Sequence, residues 1–140
     1  MKTLIAGLAA LTLFALPATA QDSTRSVTSG RVVYQFNCAV CHGEDGTGER
    51  ATSGFDVPPA NLTTIAVRNG GEFPEDKVRR IIRDGAAATV HGGQMPAWGL
   101  VFLREFNSFT FDTARGDAER VEGRIDDLVA YLRGIQTTGL

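Results

Sequence analysis

The sequence has few of the residues that build disulfide frameworks and metal clusters. Two cysteines and two histidines occur in 140 residues, and Cys38 and Cys41 lie only three positions apart. A disulfide between them would close a very small loop and would stabilise the fold little. The formal net charge is −2 and no basic block occurs, which argues against nucleic-acid binding. Lysine is nearly absent as well, since only Lys77 remains after the N-terminal region.

The N-terminal region has the features of an export signal. Lys2 supplies a positive start, residues 4–16 are apolar, and Pro17 breaks that run before the small residues at positions 18–20. The apolar run has thirteen residues, fewer than the roughly 20 that a membrane-spanning helix needs. These features favour a cleaved signal peptide over a membrane anchor.

This interpretation sets the expected domain organisation. Cleavage is predicted before Gln21, and because that residue is not a cysteine, a lipid anchor is not expected. The polar residues 21–28 are predicted to be disordered, and residues 29–140 to form a single domain. The mature protein is expected to be soluble and periplasmic.

Two segments in the first two thirds of the chain have helical periodicity. One is expected to begin near Ser29 and to bury apolar residues at three- and four-residue spacing: Val33, Phe36 and Val40. The other has Pro74 at its predicted first position and Gly85 as its predicted end.

The last helix is the most strongly patterned part of the sequence. Its apolar row consists of Val121, Ile125, Leu128, Val129, Leu132 and Ile135. The preceding segment, 102–111, contains four phenylalanines and predicts a short helix with an aromatic patch that closes the core. No strand alternation occurs, so the expected fold is all-α, with three to five helices and long loops.

So few helices with so much loop would give a thin hydrophobic core for a soluble domain. A large buried cofactor would explain how loops without regular structure remain ordered.

The segment "CAVCH" identifies the candidate cofactor. Cys38, Cys41 and His42 match the attachment motif of c-type haem, in which two thiols on one side of a helix end reach one porphyrin edge. A zinc site would need further ligands, and a redox dithiol would need strand–helix–strand surroundings. The sequence offers neither a second cysteine pair nor such strands.

Haem iron bound by His42 would take a sixth ligand from a short list. Once Met1 leaves with the signal, Met95 is the only methionine, and His91 is the only other histidine. Met95 lies in "GGQMPAWG", where glycines allow close approach to a flat cofactor and Pro96 stiffens the loop. Met95 is therefore the predicted axial ligand, with His91 as the reserve.

The order of these features resembles the class I c-type cytochromes, the monohaem electron carriers of the mitochondrial cytochrome c type, and the "VPPANLT" and "QMPAWG" segments look closer to bacterial members. The resemblance implies that Gly30 and Tyr34 pack against the last helix, at positions that match Leu128 and Tyr131.

The resemblance also implies roles around the haem. A carbonyl from Pro58 or Pro59 is expected to accept a hydrogen bond from His42 Nδ1, and Trp98 to line the haem. Arg68 is a candidate partner for a haem propionate. The mitochondrial type docks partners through a ring of lysines, which this chain lacks; a weaker candidate patch consists of Arg79, Arg80 and Arg83.

The sequence therefore predicts a periplasmic single-electron carrier with one covalent haem c and no catalytic site. Its expected partners are a donor dehydrogenase and an acceptor oxidase or another cytochrome. One alternative is a cytochrome subunit of a dehydrogenase or oxidase complex, with residues 102–111 as the interface. A second alternative is a haem enzyme or ligand sensor with an open iron position.

Overall fold

The described part of the chain is helical, with irregular connections and no strand. The computed structural model describes residues 18–49, 57–85, 95–109 and 114–137. These residues form six helices: α1 (Ala18–Asn37), α2 (Ala39–His42), α3 (Ile65–Arg68), α4 (Glu75–Asp84), α5 (Trp98–Phe109) and α6 (Ala114–Gly134). The predicted all-α fold is confirmed, and the count exceeds five because α2 and α3 are single turns. None of the described helices combines the length and apolar character required to cross a membrane.

Helix α1 begins earlier than the sequence predicted. It starts at Ala18, not near Ser29, so the structure describes residues 21–28, the segment predicted to be disordered, as part of the helix. Neither proline nor glycine interrupts this part of the chain. Ser26 Oγ also donates a hydrogen bond of 2.6 Å to Asp127 Oδ1 on α6, which ties the polar segment to the core helices.

The buried face of α1 also differs from the predicted one. Phe36 and Val40 are 82% and 81% exposed, whereas Val33 and Tyr34 are buried. Residues two positions apart lie about 200° apart around a helix, so a face that buries Tyr34 turns Phe36 outward. The predicted stripe was correct only at Val33.

The crossing of α1 and α6 depends on close backbone approach. A Cβ atom built on Gly30 would lie 1.9 Å from the carbonyl oxygen of Asp127, a distance that no real contact allows. One turn further along α1, the Tyr34 ring lies 5.1 Å from the Tyr131 ring. The predicted packing of Gly30 and Tyr34 on the last helix is confirmed, and Leu128 is buried beside it.

The predicted apolar row of α6 is also confirmed. Five of its residues are buried: Val121, Ile125, Leu128, Val129 and Leu132. Ile135 packs against them. Helix α5 places Phe102 in this core with no exposed surface, and Phe106 packs beside it. The aromatic patch therefore closes the core as expected; the Phe109 side chain and Phe111 lie outside the described residues.

Ion pairs join helix α4 to α6. They involve two of the three arginines that were predicted to form a positive docking patch. Arg79 pairs with Asp126 at 2.8 Å and also contacts Glu75 and Asp76. Arg83 pairs with Glu122. Because carboxylates pair with two of these three arginines, Arg79, Arg80 and Arg83 do not form a patch of unpaired positive charge.

The ends of α4 follow its sequence signals closely. Pro74 caps the helix and does not occupy its first turn, a shift of one position from the prediction. Gly85 ends the helix with φ of 74°, a conformation in which glycine is favoured.

Candidate cofactor site

One cavity of about 430 Å³ lies between α1, α4 and α6, within the range of cofactor sites, roughly 300–1,000 Å³. Its lining is mostly apolar and combines residues from all parts of the described chain: Tyr34, Asn37, Cys38, Cys41, His42, Val57, Pro58, Pro59, Ala60, Asn61, Leu62, Ile65, Arg68, Asn69, Pro74, Lys77, Val78, Ile81, Ile82, Met95, Pro96, Trp98, Leu128 and Leu132. All seven residues predicted for the site, Cys38, Cys41, His42, Pro58, Pro59, Met95 and Trp98, therefore come together, and their roles toward a cofactor stay predictions.

The end of α1 and the single turn of α2 position the two cysteines and the histidine. The Cys38 amide donates to Tyr34 O at 2.8 Å, and the His42 amide donates to Cys38 O at 2.8 Å. These bonds continue the helical winding through the motif and bring both thiols and the imidazole to one cavity wall. Cys38 and Cys41 are not joined in a disulfide.

The two cysteines differ in exposure. Cys38 is buried and Cys41 is half-buried. Burial, and then the neighbouring Cys41, raise the pKa of the Cys38 thiol to about 12. Cys38 is therefore held as a neutral thiol in the folded chain, which an apolar wall tolerates better than a thiolate.

His42 is oriented by one backbone carbonyl. Its Nδ1 lies 2.9 Å from Ala60 O, and since a carbonyl only accepts, Nδ1 carries the proton. The predicted acceptor, Pro58 or Pro59, is wrong by one or two residues. The Pro59 carbonyl oxygen instead packs on Gly48, where a Cβ atom would lie 2.4 Å from it.

Burial lowers the pKa of His42 below its ordinary value, although the hydrogen bond to Ala60 opposes this shift. A neutral imidazole with its proton on Nδ1 presents an unprotonated Nε2. A neutral imidazole binds metals through such an unprotonated nitrogen.

Met95 and Trp98 line the cavity from the start of α5. The carbonyl of Met95 packs against Gly85, where a Cβ atom would lie 2.8 Å from that oxygen. The Trp98 ring stands 5.5 Å from the ring of buried Phe102, which fixes it to the core. His91, the reserve ligand, lies outside the described residues.

The charged groups that line the cavity are all cationic. Arg68 and Lys77 contribute to the lining, and no carboxylate appears among the described residues that form it. Arg68 is held by Asn61 O at 2.8 Å and by the Thr64 hydroxyl. An occupant with anionic groups would be favoured near these side chains.

Sequence reasoning missed several residues that shape the site. Ala60 acts only through its backbone carbonyl, which no residue type reveals. Lys77 falls on a helix with many charged residues, and only the structure shows that it reaches the cavity. Gln136 gave no signal at all, although its side chain binds the loop that carries Ala60.

The donor set fits a covalently attached haem. Two thiols, an imidazole with a free Nε2 and a thioether share one largely apolar cavity of suitable volume. The alternatives find less support: in the described ranges no three His, Cys, Asp or Glu side chains gather as metal ligands, and no strand flanks the cysteines as a thioredoxin-like dithiol would require.

Comparison with known proteins identifies relatives of the same kind. Residues 25–105 match the family described as cytochrome c oxidase, cbb3-type, subunit III. The chain is 38% identical over 60 residues, 42% of its length, to the cbb3-type cytochrome c oxidase subunit CcoP of Cereibacter sphaeroides. It is 32% identical over 84 residues, 60% of its length, to subunit FixP of Azorhizobium caulinodans.

A shorter match links the chain to a different enzyme. It is 46% identical over 33 residues, 24% of its length, to a thiosulfate dehydrogenase of Stutzerimonas stutzeri. The matched segments span 11%, 19% and 25% of the dehydrogenase, CcoP and FixP, respectively. No solved structure shows a significant match.

The family match covers more than half of the chain and includes the cysteines, the histidine and Met95. The chain belongs to the family described as cytochrome c oxidase, cbb3-type, subunit III, and it is a c-type cytochrome of the electron-transfer class.

Proposed function

We propose that this protein is an exported carrier of single electrons with one haem c. Cys38 and Cys41 would hold the porphyrin through thioether bonds, and His42 and Met95 would ligate its iron. The observation that carries the proposal is that these four side chains line one cavity although Met95 lies more than fifty positions after His42. When bound, the haem supplies an iron that alternates between the ferrous and ferric states.

Several side chains make the cavity suitable for a haem. The hydrogen bond from His42 Nδ1 to Ala60 O leaves Nε2 unprotonated. Ile82, Leu128 and Leu132, buried in the core, exclude water from the wall between α4 and α6. An apolar environment disfavours the more highly charged state of a buried cofactor, and a thioether ligand favours reduced iron. Both effects support a raised reduction potential.

The cationic lining supports the same occupant. Haem carries two propionates, and Arg68 and Lys77 are the positive groups of the cavity. Arg68 keeps donors free after binding Asn61 O and Thr64 Oγ1, because a guanidinium has five N–H groups.

Optical spectra of the purified protein test haem attachment and ligation. Wild type is expected to retain one haem per chain after denaturation in acid, and a Cys38→Ala, Cys41→Ala double variant to lose it. Met95→Ala is expected to lose the weak sulfur–iron charge-transfer band, with His91→Ala as the matched control that keeps it. An unchanged Met95→Ala spectrum together with an altered His91→Ala spectrum would assign the sixth position to His91.

Export is tested by the mass and the compartment of the protein. Periplasmic protein is expected to begin at Gln21 and to carry the added mass of one haem. Recovery of uncleaved chain in the membrane fraction would contradict this part of the proposal.

A second candidate function is that of an electron-transfer subunit in an oxidase or dehydrogenase complex. The relatives' names, which include two oxidase subunits and a dehydrogenase, favour it. The phenylalanine-rich segment 102–111 gives this candidate less support than the sequence suggested, because Phe102 is buried in the core. Two exposed apolar side chains support it instead: Phe36 and Val40, two positions before and two positions after Cys38 in the sequence.

Native size separates the two functions. A free carrier elutes from gel filtration of a native extract at monomer size, and a subunit elutes with its complex. If a complex is found, Phe36→Ser is expected to release the protein from it. Val67→Ser, which changes an exposed valine on α3, is expected to leave the protein bound. Rapid binding of carbon monoxide by the reduced protein would instead indicate an open iron position.

A further inference from the structure

The residues that follow α6 bind the loop that orients His42. The Gln136 side chain makes three hydrogen bonds, each between partly buried groups. Its Nε2 donates to Leu62 O at 2.8 Å and to Leu132 O at 2.7 Å, and its Oε1 accepts from the Ala66 amide at 2.9 Å. One side chain thus joins the last turn of α6 to both ends of the segment 62–66.

The orientation of this amide is determined by its partners. Two carbonyl oxygens meet the NH₂ group, and one backbone N–H meets the oxygen. A flipped amide would place its oxygen against two acceptors and its NH₂ against a donor. Gln136 therefore holds the segment in one arrangement.

The same segment makes two further backbone hydrogen bonds. The Leu62 amide donates to Gly46 O at 2.7 Å, so Leu62 is bound through its N–H by the loop after His42 and through its C=O by Gln136. The Thr137 amide adds a bond of 2.8 Å to Thr63 O. Ala60, the acceptor for His42 Nδ1, lies two residues before Leu62 on this clamped chain.

We propose that Gln136 is a positioning residue for His42: by clamping Leu62 and Ala66 it holds the Ala60 carbonyl at hydrogen-bond distance from Nδ1. The inference rests on the proposed function, in which His42 Nε2 binds the haem iron. Gln136 itself touches neither the cavity nor the imidazole, and it acts through the backbone of residues 60–66.

A weaker Nδ1–H···O bond changes the imidazole as a ligand. The bond to Ala60 draws the Nδ1 proton toward the carbonyl and raises the basicity of Nε2. If the Ala60 carbonyl moves, the imidazole becomes a poorer electron donor, which favours the reduced iron. Loss of Gln136 is therefore expected to raise the reduction potential.

The experiment compares haem-loaded wild type with two uncharged variants and one control. Gln136→Met keeps the approximate shape and removes all three hydrogen bonds, and Gln136→Asn keeps the amide but shortens its reach. Gln35→Met is the control, because Gln35 is exposed on α1. None of these changes alters the net charge, so a shift in potential cannot come from a new charge.

Two measurements report on His42 itself. Redox titration is expected to give a higher midpoint potential for Gln136→Met, a smaller rise for Gln136→Asn and no change for Gln35→Met. In proton NMR of the reduced protein, the His42 Nδ1–H resonance is expected to move upfield in the same order, as its hydrogen bond weakens.

The competing explanation is that Gln136 only stabilises the fold. It predicts a lower unfolding temperature with an unchanged potential and an unchanged Nδ1–H resonance, and that result would overturn the inference. Failure of both Gln136 variants to fold would do the same. Absence of covalent haem in wild type would instead overturn the proposed function, so the two failures are distinguishable.

Discussion

The two sides of the cavity hold their predicted ligands by different means. Around α1 and α2, His42 is fixed through hydrogen bonds that run from Ala60 to Gln136. At the junction of α4 and α5, the Met95 backbone is placed by close packing on Gly85. The chemistry of the side chains explains the difference. An imidazole has a second nitrogen that needs a partner, whereas a thioether has no donor and only one weak acceptor. The imidazole of His42 must be held in one orientation, whereas Met95 needs only to be brought to the cavity.

Gly30→Ala is expected to have the largest effect, because it acts on the helix crossing that supports the hydrogen-bonded side. The new methyl group would lie 1.9 Å from Asp127 O, so α1 and α6 would have to separate. That movement would also disturb the contact between Tyr34 and Tyr131. We expect a loss of about 4 kcal/mol in the free energy of unfolding.

Denaturant unfolding measures this loss, and Gly123→Ala provides the control. Gly123 lies on α6 with nothing within 4 Å of an added Cβ, so alanine there is expected to stabilise the helix by about 0.5–1 kcal/mol. Equal effects at the two glycines would show that helix propensity, not the crossing, determines the result.

Gly85→Ala tests the packed side and is expected to cost about 2–3 kcal/mol. Gly85 has φ of 74°, and a Cβ atom would lie 2.8 Å from both Met95 O and Ala97 N. The Met95 backbone would therefore shift, and the sulfur–iron band should weaken while the His42 Nδ1–H resonance stays in place. Optical spectra, NMR and denaturant unfolding check the three expectations.

Gly70→Ala is the matched control for that variant. Gly70 has φ of 75° and nothing within 4 Å of an added Cβ, so only the conformational cost remains, about 1 kcal/mol. A similar loss in both variants, or an unchanged sulfur–iron band in Gly85→Ala, would contradict the idea that packing on Gly85 places Met95.

The difference between the two sides also explains what the sequence could predict. Cys38, Cys41 and His42 form a local motif, and Gly30, Tyr34 and the α6 row depend on residue type and helical spacing. Met95 followed from elimination, since the only other methionine, Met1, lies in the predicted signal peptide. These features depend on the types of the side chains and on short spacings in the sequence, so they could be predicted without the structure.

What could not be predicted depends on backbone groups and distant partners. Every residue has a backbone carbonyl, so the sequence does not single out Ala60. Which carbonyl accepts the hydrogen bond from His42 depends on how the loop packs against Gly48. Gln136 binds Leu62 and Ala66 across separations of 74 and 70 residues. The exposure of Phe36 and Val40 was missed because apolar residues at three- and four-residue spacing do not determine which face of a helix is buried.

Tyr34→Phe is expected to have the smallest effect, and that effect depends on pH. Tyr34 is fully buried, and its hydroxyl donates a hydrogen bond of 2.6 Å to Gly43 O in the loop after His42. Removal of the hydroxyl leaves the ring in place and costs about 1–2 kcal/mol near neutral pH. The loss falls on the hydrogen-bonded side, so the sulfur–iron band of Met95 should not change.

The pH dependence follows from the ionisation of the same hydroxyl. Burial raises the pKa of Tyr34 above its ordinary value of 10.0, so the folded protein keeps a proton that the unfolded chain releases. The stabilisation by Tyr34 is therefore complete below pH 10.0 and is lost as the pH rises above that value. Denaturant unfolding across this alkaline range should show wild type losing stability faster than Tyr34→Phe, until the advantage of the hydroxyl disappears. Parallel pH profiles for the two proteins would mean that Tyr34 ionises in the folded state as readily as in the unfolded chain, which a hydroxyl sealed between α1 and the Gly43 loop does not allow.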